Sequence, residues 1–140
     1  MNTKGNVSLE LLLTFMIFII IISSVISLVN NEFDTLDETH TRRQAKEQTM
    51  KVSHIINNVY LMGNGYNEKY HLPQHINNES YVLEINSSGV YVNSHYQLTK
   101  DDIIARDIYY NNKKSKNIFL TPDNTYTFTN KNGQIHIYNG

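Results

Sequence analysis

KGNVSLELLLTFMIFIIIISSVISLV, residues 4–29, places one carboxylate, Glu10, directly before an almost unbroken apolar run. The 19 residues from Leu11 to Val29 hold only four polar side chains, and all four are hydroxyls: Thr14, Ser23, Ser24 and Ser27. Hydroxyls can donate hydrogen bonds to helix carbonyls inside hydrocarbon. At about 1.5 Å per residue, a helix of this length extends about 28 Å, close to the hydrocarbon thickness of a bilayer. The sequence therefore predicts a helix that can span a membrane.

The charges that flank this run predict its orientation. Lys4 precedes it, and four carboxylates follow it: Glu32, Asp34, Asp37 and Glu38. By the positive-inside tendency, the N-terminus is expected in the cytoplasm and the rest of the chain outside.

A cleaved secretory signal peptide fits this segment poorly. Such peptides have an apolar stretch of about 7–15 residues and a small-x-small cleavage site, whereas this run is longer and no such site follows it. An ordinary signal anchor fits the length and the orientation. It leaves Glu10 without a role, although a charge near the bilayer centre costs on the order of 3 kcal/mol, and less near the headgroups.

The residues around Glu10 carry a family resemblance. Gly5-Asn6-Val7-Ser8-Leu9-Glu10, followed by three leucines, resembles the class III signal sequence of archaeal type IV pilin-like proteins. That family has a short basic leader ending in Gly, a polar residue that begins the mature chain, then S-x-E and an apolar helix. The polar residue is usually Gln, and Asn6 is a shorter amide of the same chemistry.

The resemblance implies a processing site and an assembly role. A prepilin peptidase is implied to cleave between Gly5 and Asn6 on the cytoplasmic side, and Ser8 and Glu10 are implied to act in assembly. A carboxylate buried among packed helices needs a cation, and the new α-amino group of Asn6 on a neighbouring subunit could supply it. Glu10 would then fix the register between subunits, as a buried polar residue does in a coiled coil.

Beyond the apolar run, a helix is the simplest prediction up to Gly63-Asn64-Gly65, since residues 30–62 contain no proline. An apolar stripe with helical spacing is predicted to pack on a domain: Val52, Ile55, Ile56, Val59 and Met62. Residues 37–48 mix charges of both signs, which favours a solvated face or a polar seam. Three cations there, Arg42, Arg43 and Lys46, leave lipid headgroup binding as an alternative.

Downstream of Gly65, alternation with a period of two predicts strands. Tyr81–Ile85 and Val90–Val92 flank a turn at residues 86–89, and residues 126–128 and 135–137 flank Asn132-Gly133, which is a strong hairpin signal. Residues 117–120 form another strand, and residues 103–110 are read as strand rather than short helix. We expect a sheet of about five strands packed on the helix, an α+β fold, and the resemblance implies that this fold has a type IV pilin-like architecture.

The sequence thus divides into four predicted segments. These are a leader peptide at residues 1–5, a transmembrane and filament-core helix at 6–30, a helix continuation packed on the head at 31–62, and an extracellular β-rich head at 63–140.

Composition argues against several kinds of function. The chain has 12 Lys+Arg against 13 Asp+Glu and no Cys, so nucleic-acid binding, thiolate catalysis and sulfur-ligated metal sites are not expected. His71 and His75 have ligand-like spacing, but Pro73 argues against the helix that would align them. Asp101, Asp102 and Asp107 lack the glycine and spaced ligands of a calcium loop. We expect no enzyme activity, catalytic residue, cofactor or metal.

Two features of the predicted head concern its surface. Asn78-Glu79-Ser80 and Asn86-Ser87-Ser88 are glycosylation sequons, which suits an exported domain. Six tyrosines fall in or near predicted strands: Tyr81, Tyr91, Tyr96, Tyr109, Tyr110 and Tyr126. Half-buried sheet positions are favoured for them over a binding face for carbohydrate or another cell surface.

The functional expectation is a structural subunit of an archaeal type IV pilus-like filament. Its partners would be other pilin subunits, the prepilin peptidase and membrane lipid. The precursor would sit in the cell membrane and the mature chain in an extracellular filament that supports adhesion. The alternative is a monomeric single-pass signal-anchor protein with an extracellular binding domain.

Overall fold

A computed structural model of the chain describes residues 3–93 and 98–140, except for the side chains of 3–7, 34 and 98. It confirms the predicted α+β fold class. One helix, α1 (Thr3–Met62), precedes short strands that form two antiparallel-rich sheets. The strands are β1 (Asn67–His71), β2 (Val82–Asn86), β3 (Gly89–Asn93), β4 (Leu98–Asp101), β5 (Ile108–Tyr110), β6 (Lys113–Lys114), β7 (Asn117–Leu120), β8 (Thr125–Lys131) and β9 (Gln134–Asn139).

The chain divides into two compact units, Met1–Asp37 and Glu38–Gly140. In the first unit, α1 contains an 18-residue window with a mean hydropathy of 2.8, long and apolar enough to cross a membrane. Two of the four hydroxyls in the apolar run bond back to the helix, as predicted. Thr14 donates to the carbonyl of Glu10 at 2.9 Å, and Ser24 donates to the carbonyl of Ile20 at 2.8 Å. Met1 and Asn2 of the predicted leader lie outside the described residues.

In the second unit, α1 buries one stripe of side chains against the strands. Val52, Ile55, Ile56 and Val59 are buried, which confirms most of the predicted stripe. Met62 is 63% exposed, so its inclusion was wrong, because the helix ends there before another turn can cover it. The stripe also continues toward the N-terminus through three small residues that the sequence reading left out: Thr41, Ala45 and Thr49. At one of them, the side-chain amide of Asn77 in the loop after β1 donates to the Thr41 hydroxyl at 2.9 Å.

Helix α1 ends at Met62, immediately before the predicted Gly63-Asn64-Gly65 stop. Gly63 has φ of 91°, the left-handed conformation common just past a helix end. The side-chain amide of Asn130 donates to the carbonyls of Val59 and Tyr60 at 3.1 and 2.9 Å, and it thereby satisfies acceptors that the helix leaves free. The helix end is therefore held by a strand residue 70 positions away.

The strands form a five-stranded sheet in the order β1-β8-β9-β5-β6 and a four-stranded sheet in the order β4-β3-β2-β7. All pairings are antiparallel except β5 with β9, which is parallel. Apolar side chains of both sheets join the buried face of α1 in one core. The expectation of a single sheet of about five strands was therefore wrong, since alternation along a strand does not specify which strands become neighbours.

Three of the predicted strand regions are confirmed. The β2–β3 hairpin pairs Asn86 with Gly89, and β7 occupies Asn117–Leu120 as predicted. In the β8–β9 hairpin, Asn132 and Gly133 have φ of 54° and 80°, the left-handed values that a tight hairpin turn needs.

The prediction of strand throughout residues 103–110 was wrong for residues 103–107. Only Ile108–Tyr110 is strand, whereas residues 102–107 cross α1 without regular structure. The carboxamide of Asn57 on α1 accepts from the backbone N–H of Ile104 at 2.8 Å and donates to the carbonyl of Asp102 at 3.3 Å. The side chain of Asn57 therefore makes the backbone hydrogen bonds that a neighbouring strand would otherwise make.

Replacing Asn130 with Ala is expected to lower the free energy of unfolding of the head by about 1–3 kcal/mol, because buried carbonyls lose their donor. Asn130→Asp should cost more, because it also sets a carboxylate against those carbonyls. Urea unfolding of the detergent-solubilised chain, followed by the near-ultraviolet circular dichroism of its tyrosines, measures both variants.

Asn124→Ala is the matched control, because the side-chain amide of Asn124 donates to nearby turn carbonyls, those of Thr121 and Pro122, and not to the helix. Equal urea midpoints for Asn130→Ala and Asn124→Ala would show that the helix end does not depend on Asn130.

Candidate functional site

The apolar part of α1 presents an uncovered surface in the single chain. Every large apolar side chain from Leu9 to Val29 is at least 42% exposed. An apolar surface of this extent is typical of a membrane-spanning or subunit-packing helix and not of a helix that faces water.

Glu10 lies on this surface, beside a shallow depression. The depression has a volume of about 520 Å³ and is lined by Glu10, Leu11, Thr14, Phe15 and Phe18. Glu10 is exposed, so its carboxylate is open to a partner from another molecule. The carboxylate of Glu10 is thus a charged hydrogen-bond acceptor at the edge of this apolar depression.

The other residues of the predicted processing and assembly motif lie in the first turns of α1. The backbone is helical at Gly5 and Asn6, and the side chain of Asn6 is outside the described residues. Ser8 is exposed, but it lies two residues from Glu10, so the two side chains do not share a helix face. Ser8 and Glu10, the two motif residues whose side chains the structure describes, therefore do not form a joint site in one chain.

A second candidate site is a trough in the Glu38–Gly140 unit. It has a volume of about 1140 Å³ and lies along the exposed face of α1, bordered by β1 and β4, which are edge strands of different sheets. Its lining residues are Thr39, Arg42, Arg43, Lys46, Glu47, Met50, Lys51, His54 and Ile55 of α1, Glu68 and Tyr70 of β1, and Thr99 and Lys100 of β4. Among them, the sequence indicated Arg42, Arg43 and Lys46 as candidate binding residues, for lipid headgroups, and Ile55 as a packing residue.

Hydrogen bonds from α1 fix the β4 side of the trough. Lys46 Nζ donates to the carbonyl of Lys100 at 2.6 Å and to Asp101 Oδ1 at 3.2 Å, and the hydroxyl of Ser53 donates to the second oxygen of Asp101. Burial opposes ionisation of Asp101, but the bonds from Ser53 and Lys46 outweigh it and hold the pKa of Asp101 below its usual value. Asp101 is thus the anchor that joins β4 to the helix.

The β1 side of the trough is held by Tyr70. Its hydroxyl donates to Gln48 Oε1 at 2.7 Å, and burial raises the pKa of Tyr70, so the phenol stays protonated at neutral pH. Beside it, Lys51 forms an ion pair of 2.6 Å with Glu47. On this side of the trough, the half-buried ring of Tyr70 is therefore an apolar surface, and Lys51 and Glu47 are charged groups beside it.

The structure separates the two sequon asparagines by accessibility. Asn78 is exposed in a tight turn closed by reciprocal backbone bonds between Ile76 and Glu79. Asn86 is half-buried, and its carboxamide bonds to Glu84 Oε1 at 3.3 Å and accepts from the N–H of Ser88 at 2.9 Å. Asn78 is the more accessible acceptor of the two.

The histidines and aspartates that resembled metal ligands in sequence do not converge. His71 lies 3.6 Å from Asp123 at the exposed end of β1, while Asp102 and Asp107 form ion pairs with Lys100 and Lys114. Across residues 3–93 and 98–140, no group of three or more His, Asp or Glu is arranged to hold a metal ion.

The tyrosines act mainly as packing residues. Tyr81 and Tyr126 are buried, and their hydroxyls bond to the carbonyl of Pro73 and the N–H of Thr121, at 2.7 and 2.8 Å. Burial raises the pKa of Tyr81. Tyr109 stacks on His136 with ring centroids 4.6 Å apart, and Tyr96 lies outside the described residues.

Replacing Asp101 with Asn should remove a pH-dependent part of the stability of the head. Because the folded state lowers the pKa of Asp101, its contribution is complete above the unfolded pKa near 3.8 and is lost as pH falls through the folded pKa. We expect Asp101→Asn to lower the free energy of unfolding by about 1 kcal/mol at pH 7 and to flatten its decline from pH 5 to pH 2.

Asp102→Asn is the control, because the Asp102 side chain is 83% exposed and pairs only with Lys100 at the surface. Urea unfolding across this pH range compares the two variants with the parent chain. Identical pH profiles for Asp101→Asn and Asp102→Asn would contradict the anchoring role of Asp101.

No protein-family model matches this chain, and no curated protein or solved structure is significantly similar to it. A functional proposal for the chain therefore depends on its own residues and their geometry.

Proposed function

We propose that this chain is a structural subunit of an archaeal type IV pilus-like extracellular filament. The precursor is anchored in the cell membrane by α1 with its N-terminus in the cytoplasm. A prepilin peptidase removes the leader after Gly5, and the mature chain, which begins at Asn6, joins other pilin subunits through its apolar helix. The head then faces outward and supports surface adhesion, with Asn78 and Asn86 as glycosylation acceptors.

The observation that carries the proposal is the exposed apolar length of α1 with Glu10 at its edge. The helix has no cover in the single chain, so lipid must cover it in the precursor and neighbouring helices must cover it in the filament. Glu10 is exposed beside the depression lined by Phe15 and Phe18, where an incoming α-amino group can reach it. Burial of that carboxylate during assembly is tolerable only if a cation accompanies it.

The organisation of the head also supports a structural role. Its buried side chains form one continuous core, and its carboxylates at residues 101, 102 and 107 are engaged with lysines. Asp101 anchors β4 to the helix, and these three carboxylates do not converge in a polar pocket of the kind that catalysis requires.

The alternative is a monomeric signal-anchor protein whose head binds a partner outside the cell. The same apolar helix serves this function without cleavage, and Glu10 then sits among the lipid headgroups. The two functions differ in the N-terminus of the mature chain and in the effect of neutralising Glu10.

Intact-mass spectrometry of the chain from native membranes and from sheared surface filaments tests processing. We expect the filament fraction to contain a chain that begins at Asn6, and the membrane fraction to contain the precursor as well. An uncut chain confined to membranes would contradict the proposal and favour the plain anchor.

Substitution of Glu10 tests assembly. Glu10→Gln and Glu10→Ala should reduce the amount of subunit in sheared filaments at least about tenfold, because the buried ion pair is lost while the precursor still inserts into the membrane. Quantitative immunoblotting of filament and membrane fractions provides the measurement.

Glu84→Gln is the matched control, because Glu84 lies on β2 in the head, bonded to Asn86. Filament levels of both Glu10 variants equal to that of Glu84→Gln would remove Glu10 from the assembly mechanism.

A further inference from the structure

The helix segment directly after the apolar run combines carboxylates with exposed apolar side chains. Residues 32–37, EFDTLD, which we call the acidic turn, contain three carboxylates and no cation. Phe33 is 66% exposed and Leu36 is 53% exposed. Their spacing of three residues places them on the same side of α1. Phe33 and Leu36 are therefore placed like the apolar side chains by which a helix docks into a groove.

Most of the charged side chains that line the trough are cations. Five cationic side chains line it, Arg42, Arg43, Lys46, Lys51 and Lys100, against two carboxylates, Glu47 and Glu68. Arg43 has no carboxylate within ion-pair distance among the residues that the structure describes. The other four cations that line the trough already pair with carboxylates of the same chain, so Arg43 is the group available to an anionic occupant.

The size and the surface of the trough favour a polypeptide segment. Its volume of about 1140 Å³ exceeds the roughly 300–1,000 Å³ that is usual for small-molecule pockets. Met50 is 52% exposed within it, beside Ile55 and the half-buried ring of Tyr70. These side chains offer an apolar strip that Phe33 and Leu36 can cover.

We propose that the trough binds the acidic turn of a second copy of this chain. Phe33 and Leu36 of the incoming helix pack on Met50 and Tyr70, while Glu32 pairs with Arg43. The inference rests on the proposed assembly into a filament and assigns it a subunit contact outside the apolar helix core. The apolar pair supplies most of the affinity, and the charges set orientation and register.

Anionic lipid headgroups match the trough less well than a second copy does. They would satisfy the cations, but they offer no apolar group for Met50 and no place for Phe33 and Leu36.

The test uses disulfide cross-linking, because the chain has no native cysteine. Two full-length versions with different epitope tags are co-expressed, one with Leu36→Cys and the other with Met50→Cys. Sheared filaments and membranes are then oxidised with copper phenanthroline. We expect a cross-linked heterodimer in filaments. The matched control pairs Leu36→Cys with Leu61→Cys, since Leu61 is an exposed α1 residue outside the trough.

Charge reversal then tests whether the two surfaces recognise each other. Glu32→Arg on the Leu36→Cys copy should lower the cross-linking yield about fivefold, and adding Arg43→Glu to the Met50→Cys copy should restore it. A yield at Leu61 equal to that at Met50, or no restoration by the second reversal, overturns the proposal.

The outcomes separate this contact from the proposed function. Filaments that depend on Glu10 but lack the Leu36–Met50 cross-link would overturn the contact and leave the filament role intact. A charge-dependent cross-link in membranes without any filament would support the contact and reject the filament role. Loss of binding to anionic lipid vesicles on Arg43→Glu, without a cross-link, would make the trough a lipid site and overturn the proposal.

Discussion

The head depends on one buried side chain, Asn130, which connects three parts of the chain that are distant in sequence. Its amide donates to the last carbonyls of α1, its side-chain oxygen accepts from the N–H of Gly133 at 2.9 Å, and its backbone bonds to Gly65 and Tyr66. Asn130 is 1% exposed, so none of these groups can exchange its partner for water without opening the core. The hydrogen bonds of Asn130 therefore hold together the end of the helix, the loop after it and the β8–β9 turn.

Contacts farther along α1 determine what the head exposes. Asn57 and Ser53 bond to the segment around Asp101 and Asp102, and Gln48 bonds to Tyr70. Strands β4 and β1, each at the edge of its sheet, consequently border the exposed face of the helix. The trough thus results from the way the two sheets are attached to α1, and the cations that line it come from α1 and β4.

The two compact units of the chain differ in how far their apolar side chains are buried. In the head, buried apolar groups form one core and nearly all charged groups discussed above have a partner within the chain. In the N-terminal unit, the large apolar side chains from Leu9 to Val29 are exposed, while the hydroxyls of Thr14 and Ser24 bond to helix carbonyls. The largest exposed apolar surface is therefore on this part of the helix, and burial of that surface would be favourable.

The sequence by itself determined the features that depend on neighbouring residues. The length and hydropathy of the apolar run, the end of α1 before Gly63, the hairpins at residues 86–89 and 132–133 and the stripe from Val52 to Val59 all follow from local periodicity and turn chemistry. Glu10 stood out for the same reason, since a charge beside an apolar run is visible in the sequence alone.

Only the tertiary structure decided which strands pair, where residues 102–107 run and what surrounds the charged part of α1. The polar edge strand β1 gave no alternation to read, and the backbone partner of Ile104 is a helix side chain 47 residues away. The trough arises from residues of α1, β1 and β4 that no sequence spacing connects. Such features depend on contacts between distant segments, whose geometry is fixed by packing and by the need to satisfy every buried polar group.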